Sequence, residues 1–175
     1  MQVVLIVTAI VLLLGSGAYL MGMVLPKTHV YEGRMTLPAD VDRVWGLISD
    51  ESQAPQWRSD IAEVERISPI LVRETDWKGR ALTFETVSCT PSQQLIRRIA
   101  DEDLPFGGRW IFTLETSESG CILKVREEGV IYNPVFRLLA HMVFGHSRSV
   151  DRYLADLKRH IEPEKNAGQE GGAPR

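Results

Sequence analysis

The groups in this chain that could move protons or hold a metal are few. His141 and His146 are five residues apart, about 140° around a helix, so they point to different faces. A helix-borne zinc pair needs a spacing of four, and no metal site is expected. His29 follows an apolar segment and His160 lies near the end of a helical pattern; neither suggests chemistry. His146 falls within an apolar stripe, one turn after Met142, where an imidazole would offer a hydrogen bond to a ligand carbonyl or hydroxyl. The plainer reading is a satisfied core histidine. Glu127 follows Leu123 and Val125 at period two, which turns it to the same side of a strand. A carboxylate there needs a partner or a raised pKa, and the latter is how a general acid is made. Arg97, between Leu95 and Ile99, is the partner that could reach it across a sheet; a pair at a strand end, open to solvent, is the alternative. There is no Gly-x-Ser-x-Gly turn and no glycine loop shaped for phosphate, so no catalytic residue and no cofactor are assigned.

These residues must be placed by their elements, and the dominant one is helical. Val135, Leu138, Leu139, Met142, Val150, Tyr153, Leu154, Leu157 and Ile161 recur at the i, i+3, i+4 spacing of one helix face, with Arg137, His141, Arg148, Arg152, Ala155 and Arg159 opposite. Asn133 suits an N-cap, Pro134 a first helical residue and Pro163 a stop. The pattern predicts one helix over 134–162, roughly 40 Å long at about 1.5 Å per residue. Phe136 and Phe144 fall off its main stripe. A stripe of that length needs a partner of matching length, and the preceding residues read as β-structure, so the partner is an antiparallel sheet.

Taken in order, residues 3–25 carry no charge and are long enough to cross a bilayer core. Gly15, Ala18 and Gly22 form a small-residue stripe that would allow close helix pairing. With no basic stretch before the segment and no clean small-x-small cleavage site after it, an uncleaved anchor is expected over residues 1–26, rather than a signal peptide. Lys27 and Arg34 follow it, and the positive-inside rule therefore puts the remainder of the chain in the cytoplasm. Residues 29–37 alternate as a first strand. Asp40, with Val41, Val44, Trp45 and Ile48 at helical spacing, marks a helix, and residues 50–57 a second short one. Strands follow over 61–67, 70–77, 80–89, 94–101, 109–116 and 121–132, with turns at Lys78-Gly79 and Ser119-Gly120. Residues 164–175 are polar and glycine-rich and are expected to be a disordered tail. A net charge of −3 supplies no basic field for nucleic acid. Two cysteines are too few for a disulfide scaffold.

The segments LPADVDRVWGLISD, PQW, FGGRW, EEGVIYNPVFRLL and FGHSRSVDRYLADLKRHIE, in the order strand, two helices, six strands and long helix, resemble the SRPBCC superfamily. This is the fold of START domains and the birch-pollen allergen, and the likeness is to its polyketide cyclase/dehydrase-like branch. The resemblance spans residues 29–162 and implies an α+β helix-grip domain over 27–163: a seven-stranded antiparallel sheet wrapped around the C-terminal helix, with an apolar cavity between them. Members bind lipids, sterols, polyketides and other hydrophobic molecules, and only some are enzymes. No universal catalytic motif exists to carry over. In the family's strand order Cys89 and Cys121 are separated by two strands, about 14 Å apart, and are expected to be free thiols.

A sheet bent around a helix meets it along only part of its length, so large side chains either fill the gap or line it. The expected cavity lining is Trp45, Trp57, Phe84, Trp110, Phe112, Glu127, Leu139, Met142, His146 and Val150. Trp77 and Tyr132 are further aromatics available to the same space. Leu104, Phe106, Gly107 and Gly108 read as a loop gating the mouth, with two glycines for freedom and an apolar tip. The expected function is membrane-tethered binding of a hydrophobic small molecule, of lipid, polyketide or isoprenoid type. The alternatives are a cyclase or dehydratase using His146 or Glu127, and a scaffold whose aromatics fill the gap while its surface meets a protein.

Overall fold

The computed structural model describes residues 1–143 and 148–170, with side chains through 142 and from 149 to 162. Helix α1 (Gln2–Val24) comes first and carries no charged residue. Strand β1 (Thr28–Leu37) leads into α2 (Val41–Ser49), a 3-10 turn (Glu51–Gln53) and α3 (Ala54–Trp57). Asp40 caps α2, accepting a hydrogen bond from the Arg43 amide at 2.8 Å, and the helix buries Val44 and Ile48. Six strands follow: β2 (Ile61–Arg66), β3 (Leu71–Asp76), β4 (Ala81–Thr90), β5 (Gln94–Ile99), β6 (Phe106–Ser117) and β7 (Gly120–Ile131). They pair with β1 in one antiparallel sheet of order β1-β7-β6-β5-β4-β3-β2. Cys89 on β4 is exposed, Cys121 on β7 is buried, and both are free, with β5 and β6 between their strands.

Alternation decides which side of the sheet is buried. Leu37 on β1, Leu95 on β5, Phe112 and Leu114 on β6, and Cys121, Leu123 and Val125 on β7 share the inner face and the core. Helix α5 (Arg148–Glu170) lies on that face, burying Val150, Tyr153, Leu154, Leu157 and Ile161. Its close approach to β1 depends on Gly33, where a Cβ would stand 2.7 Å from a Leu154 methyl and 2.8 Å from a Val150 methyl. Helix α5 packs mainly against β1, with less contact to β7 and α3 and, through Tyr153, to β6, so it covers the β1 half of the sheet more fully than the other.

The helical pattern over 134–162 is seen as two helical stretches, α4 (Pro134–Val143) and α5, on either side of residues 144–147, which lie outside the described part. The predicted stripe divides with them. Its second half is core, while Val135, Leu139 and Met142 on α4 are 39%, 49% and 74% exposed. Arg137 falls opposite that stripe, as the spacing predicts, yet its side of α4 is not the solvated one. It is buried, because α4 packs against α1 and β7 rather than beneath the sheet, and the Arg137 side of the helix is the side that meets them. Helix α5 also runs past Pro163 to Glu170; a proline there removes one intrahelical bond without ending the assigned helix.

Candidate functional site

The concave face between the sheet and α5 is organised around Tyr153. Its ring meets Trp57 edge-on at 5.0 Å, Phe112 at 5.3 Å and Trp110 at 5.8 Å, and Trp110 lies 5.9 Å from Phe112. These geometries are the favourable edge and tilted arrangements of aromatic pairs. The Arg58 guanidinium stands 5.4 Å from the centre of the Tyr153 ring. Burial pushes the Tyr153 hydroxyl far above the ordinary range, so it stays protonated at any physiological pH.

Behind this aromatic group runs a buried ion network that alternation alone places but does not pair. Arg58 Nη1 donates to Glu74 Oε2 at 2.7 Å, and its other nitrogens take Asp60 at 3.0 and 3.1 Å. Arg97 Nη2 meets Glu51 Oε1 at 2.5 Å and donates to the Ile48 carbonyl at 3.0 Å, while its Nη1 lies 3.9 Å from Glu74. Burial opposes the charge on Arg58, but Glu74 and Asp60 outweigh it and raise its pKa. Trp57 Nε1 and Arg97 Nε are buried donors without a partner among the described residues. On α5, buried Asp156 accepts from both the amide and the hydroxyl of Ser59 at 2.8 and 2.7 Å, tying the end of α3 to the helix.

The pairing expected between Glu127 and Arg97 does not form. Trp110 sits between them in register, and Arg97 is taken by Glu51 and Glu74. Glu127 instead accepts a hydrogen bond from Ser149 Oγ at 2.5 Å and lies 3.7 Å from His29 Nε2. Sequence reasoning set His29 aside, although pairing of β1 with β7 puts it beside Glu127. A nucleophilic triad needs the imidazole between hydroxyl and carboxylate; here the carboxylate is in the middle, so these three side chains are not arranged as one.

Of the residues expected to line a cavity, Trp57, Trp110 and Phe112 come together around Tyr153, and Val150 is core against β1. Trp45 packs at the edge of that core. Phe84 lies on the inner face of β4, opposite Ile99 of β5. Leu139 and Met142 point away on α4, and His146 lies outside the described residues. The gate reading is corrected too. Phe106, Gly107 and Gly108 are not a loop but the start of β6, paired with Ile131, Val130 and Gly129, and only Leu104 precedes the strand. Gly108 fits there because a Cβ would stand 2.5 Å from the Glu128 carbonyl oxygen. The Phe106 ring stacks on Phe136 of α4 at 5.8 Å.

What remains open is a strip of the inner face. Leu82 and Phe84 on β4, Ile99 on β5 and Trp110 on β6 are only partly buried, on the side that α5 covers less, with Trp110 at the border against Tyr153. Two concavities elsewhere, of about 430 Å³ beside the start of α2 and about 520 Å³ on the outer face across β1, β7 and β6, do not lie between sheet and helix. Among the described residues no group of three or more His, Cys, Asp or Glu side chains is placed to hold a metal.

A seven-stranded antiparallel sheet that holds a C-terminal helix on one face, with two short helices after its first strand, is a helix-grip domain. Residues 28–162 match the family described as polyketide cyclase/dehydrase and lipid transport, and the chain belongs to that family. No curated protein matches it in sequence. Among solved structures, it is similar to a START superfamily protein from Mycobacterium smegmatis, with a TM-score of 0.61 at 15% identity over 77% of this chain and 98% of that one. A norcoclaurine synthase point mutant from Thalictrum flavum, in complex with a transition-state analogue, gives 0.62 at 12% identity over 79% and 96%. The di-domain ARO/CYC StfQ of the steffimycin biosynthetic pathway gives 0.59 at 14% identity over 79% of this chain, which spans 52% of StfQ. At such identities the likeness establishes the fold.

Proposed function

We propose that this protein binds a hydrophobic small molecule on the half-open strip of its concave face, while α1 anchors it in a membrane. In this reading residues 1–26 are the anchor and 27–163 the binding domain, held on the cytoplasmic side. The observation that carries the reading is the incomplete burial of Leu82, Phe84, Ile99 and Trp110 on the face that elsewhere forms the core. An apolar guest laid along them would cover surface that α5 leaves to water, at about 25 cal/mol per Å² buried. Trp57, Tyr153 and Phe112 form a firm wall behind it, and the ion network beyond is paired apart from Arg97 Nε, so the strip selects mainly for apolar bulk. The family description, which includes lipid transport, and the START-type neighbour support the ligand class. The length and apolar composition of α1, almost all of whose side chains are exposed, support the anchor.

The test is extraction of the full chain, purified in detergent, followed by mass spectrometry of the organic phase. The expected result is a defined apolar compound enriched over the bulk membrane lipids, and lost from Phe84→Arg. An extract that matches bulk lipid and is unchanged by Phe84→Arg would overturn the proposal.

A further inference from the structure

Helix α4 is attached to the end of α1 by close packing and by a buried arginine. Gly22, the buried residue of α1, lies against the first turn of α4: a Cβ on it would stand 1.9 Å from the Pro134 carbonyl oxygen. Arg137, 3% exposed, donates from Nη1 to the Gly22 and Leu25 carbonyls at 2.8 and 3.2 Å. Its Nε and Nη2 donate to the Ile131 carbonyl at 3.2 and 2.9 Å, and Nη2 reaches Tyr132 O at 3.4 Å. One guanidinium therefore joins the C-terminal end of α1, where unpaired carbonyls and the negative end of the helix dipole favour a cation, to the end of β7.

Pro134, Arg137 and Ala140 form the covered side of α4; Ala140 is buried and Arg137 makes the contacts just described. At 3.6 residues per turn, Val135, Leu139 and Met142 fall almost opposite them, and these are the exposed residues. Three large apolar side chains are thus displayed in a stripe beside α1, whose own apolar side chains are exposed along its length. Folding has placed them where α1 leaves the domain.

We propose that α4 lies in the bilayer interface alongside the end of α1, with Val135, Leu139 and Met142 in contact with lipid. The inference rests on the anchor reading of α1, and the occupant follows from continuity: the stripe extends the apolar surface of the one helix that meets lipid. A helix held there with one apolar face toward the acyl chains is the geometry of an interfacial helix. The clamp at Arg137 sets the orientation of the whole domain over the membrane.

The experiment uses the full chain carrying Cys89→Ser, so that buried Cys121 is the only native thiol, with one added cysteine at a time: Leu13→Cys on α1, Leu139→Cys or Met142→Cys on α4, and Lys158→Cys on α5. Each is labelled with an environment-sensitive fluorophore in vesicles of phosphatidylcholine and phosphatidylglycerol, with and without nitroxide-bearing acyl chains. Labels at Leu13, Leu139 and Met142 are expected to shift to the blue and lose intensity to the nitroxide; that at Lys158 does neither. If Leu13 responds while Leu139 and Met142 behave like Lys158, α4 is in water and the inference fails with the anchor intact. A blue shift at Leu139 without nitroxide quenching means protein covers the stripe, and also refutes it. If Leu13 itself is not quenched, the anchor reading fails first.

Discussion

Helices α4 and α5 carry one continuous apolar pattern and take it to different places. In α5, Val150, Tyr153, Leu154, Leu157 and Ile161 are buried against the inner face of the sheet; in α4, Val135, Leu139 and Met142 are left outside while Arg137 goes in. Periodicity states which side of a helix avoids water, not which apolar medium receives it. The covered side of α4 faces a helix end rich in carbonyls, a medium that suits a guanidinium, and its apolar side is left exposed. The covered side of α5 faces leucine, valine and phenylalanine, where only apolar side chains pack well.

The contrast can be broken most forcefully at Leu157. Leu157→Ala should cost about 2–5 kcal/mol, read by denaturant unfolding of the detergent-solubilised protein, because it leaves a cavity in a packed core. The matching change on α4, Leu139→Ala, should cost no more than about 0.5 kcal/mol in the same assay. Equal losses at the two sites would erase the distinction. Next is Arg137→Met, which keeps an apolar stem but strips the donors from buried carbonyls; roughly 2–4 kcal/mol is expected. Faster proteolysis between α1 and β1 should accompany it, and unchanged cleavage would argue that the clamp does not hold the two together.

Acid gives a smaller and more local effect. Asp50 is held below its ordinary value of 3.8, chiefly by hydrogen bonds from Gln53 and Ser52, with burial opposing and Arg66 helping. Since its folded pKa lies below the unfolded one, its stabilising contribution is complete above pH 3.8 and is lost as pH falls through the lowered value. Asp50→Asn should flatten the stability curve below about pH 4. A curve of unchanged slope would remove Asp50 from the account. The smallest effect is chemical. Burial, with some help from Asp40, pushes the Cys121 thiol up, so a thiol reagent at neutral pH should modify exposed Cys89 alone until the protein unfolds.

Much of the sheet was legible from local chemistry. The turn at Lys78-Gly79, the strand over 109–116 and the helix start marked by Asp40 each bring their elements within a few residues of the observed bounds. Pairing between distant side chains was not legible. Arg97 sits at an inward position between Leu95 and Ile99, which is a signal for a buried charge, but nothing local says that it meets Glu51 and Glu74, or that Glu74 also takes Arg58. The same limit hid His29 beside Glu127, a contact made by strands a hundred residues apart in the chain. Gly107 and Gly108 signal close backbone approach as readily as a loop, and here they serve the pairing of β6 with β7.

The central claim is that the uncovered half of the concave face receives an apolar guest. The most direct measurement is photolabelling of the full chain in vesicles with an aliphatic diazirine probe, followed by peptide mapping. The account predicts label on the inner-face positions Leu82, Phe84, Ile99 and Trp110, displaced by excess unlabelled apolar compound and absent from their outward-facing neighbours. Label confined to α1 and α4, with none on those strands, would contradict it.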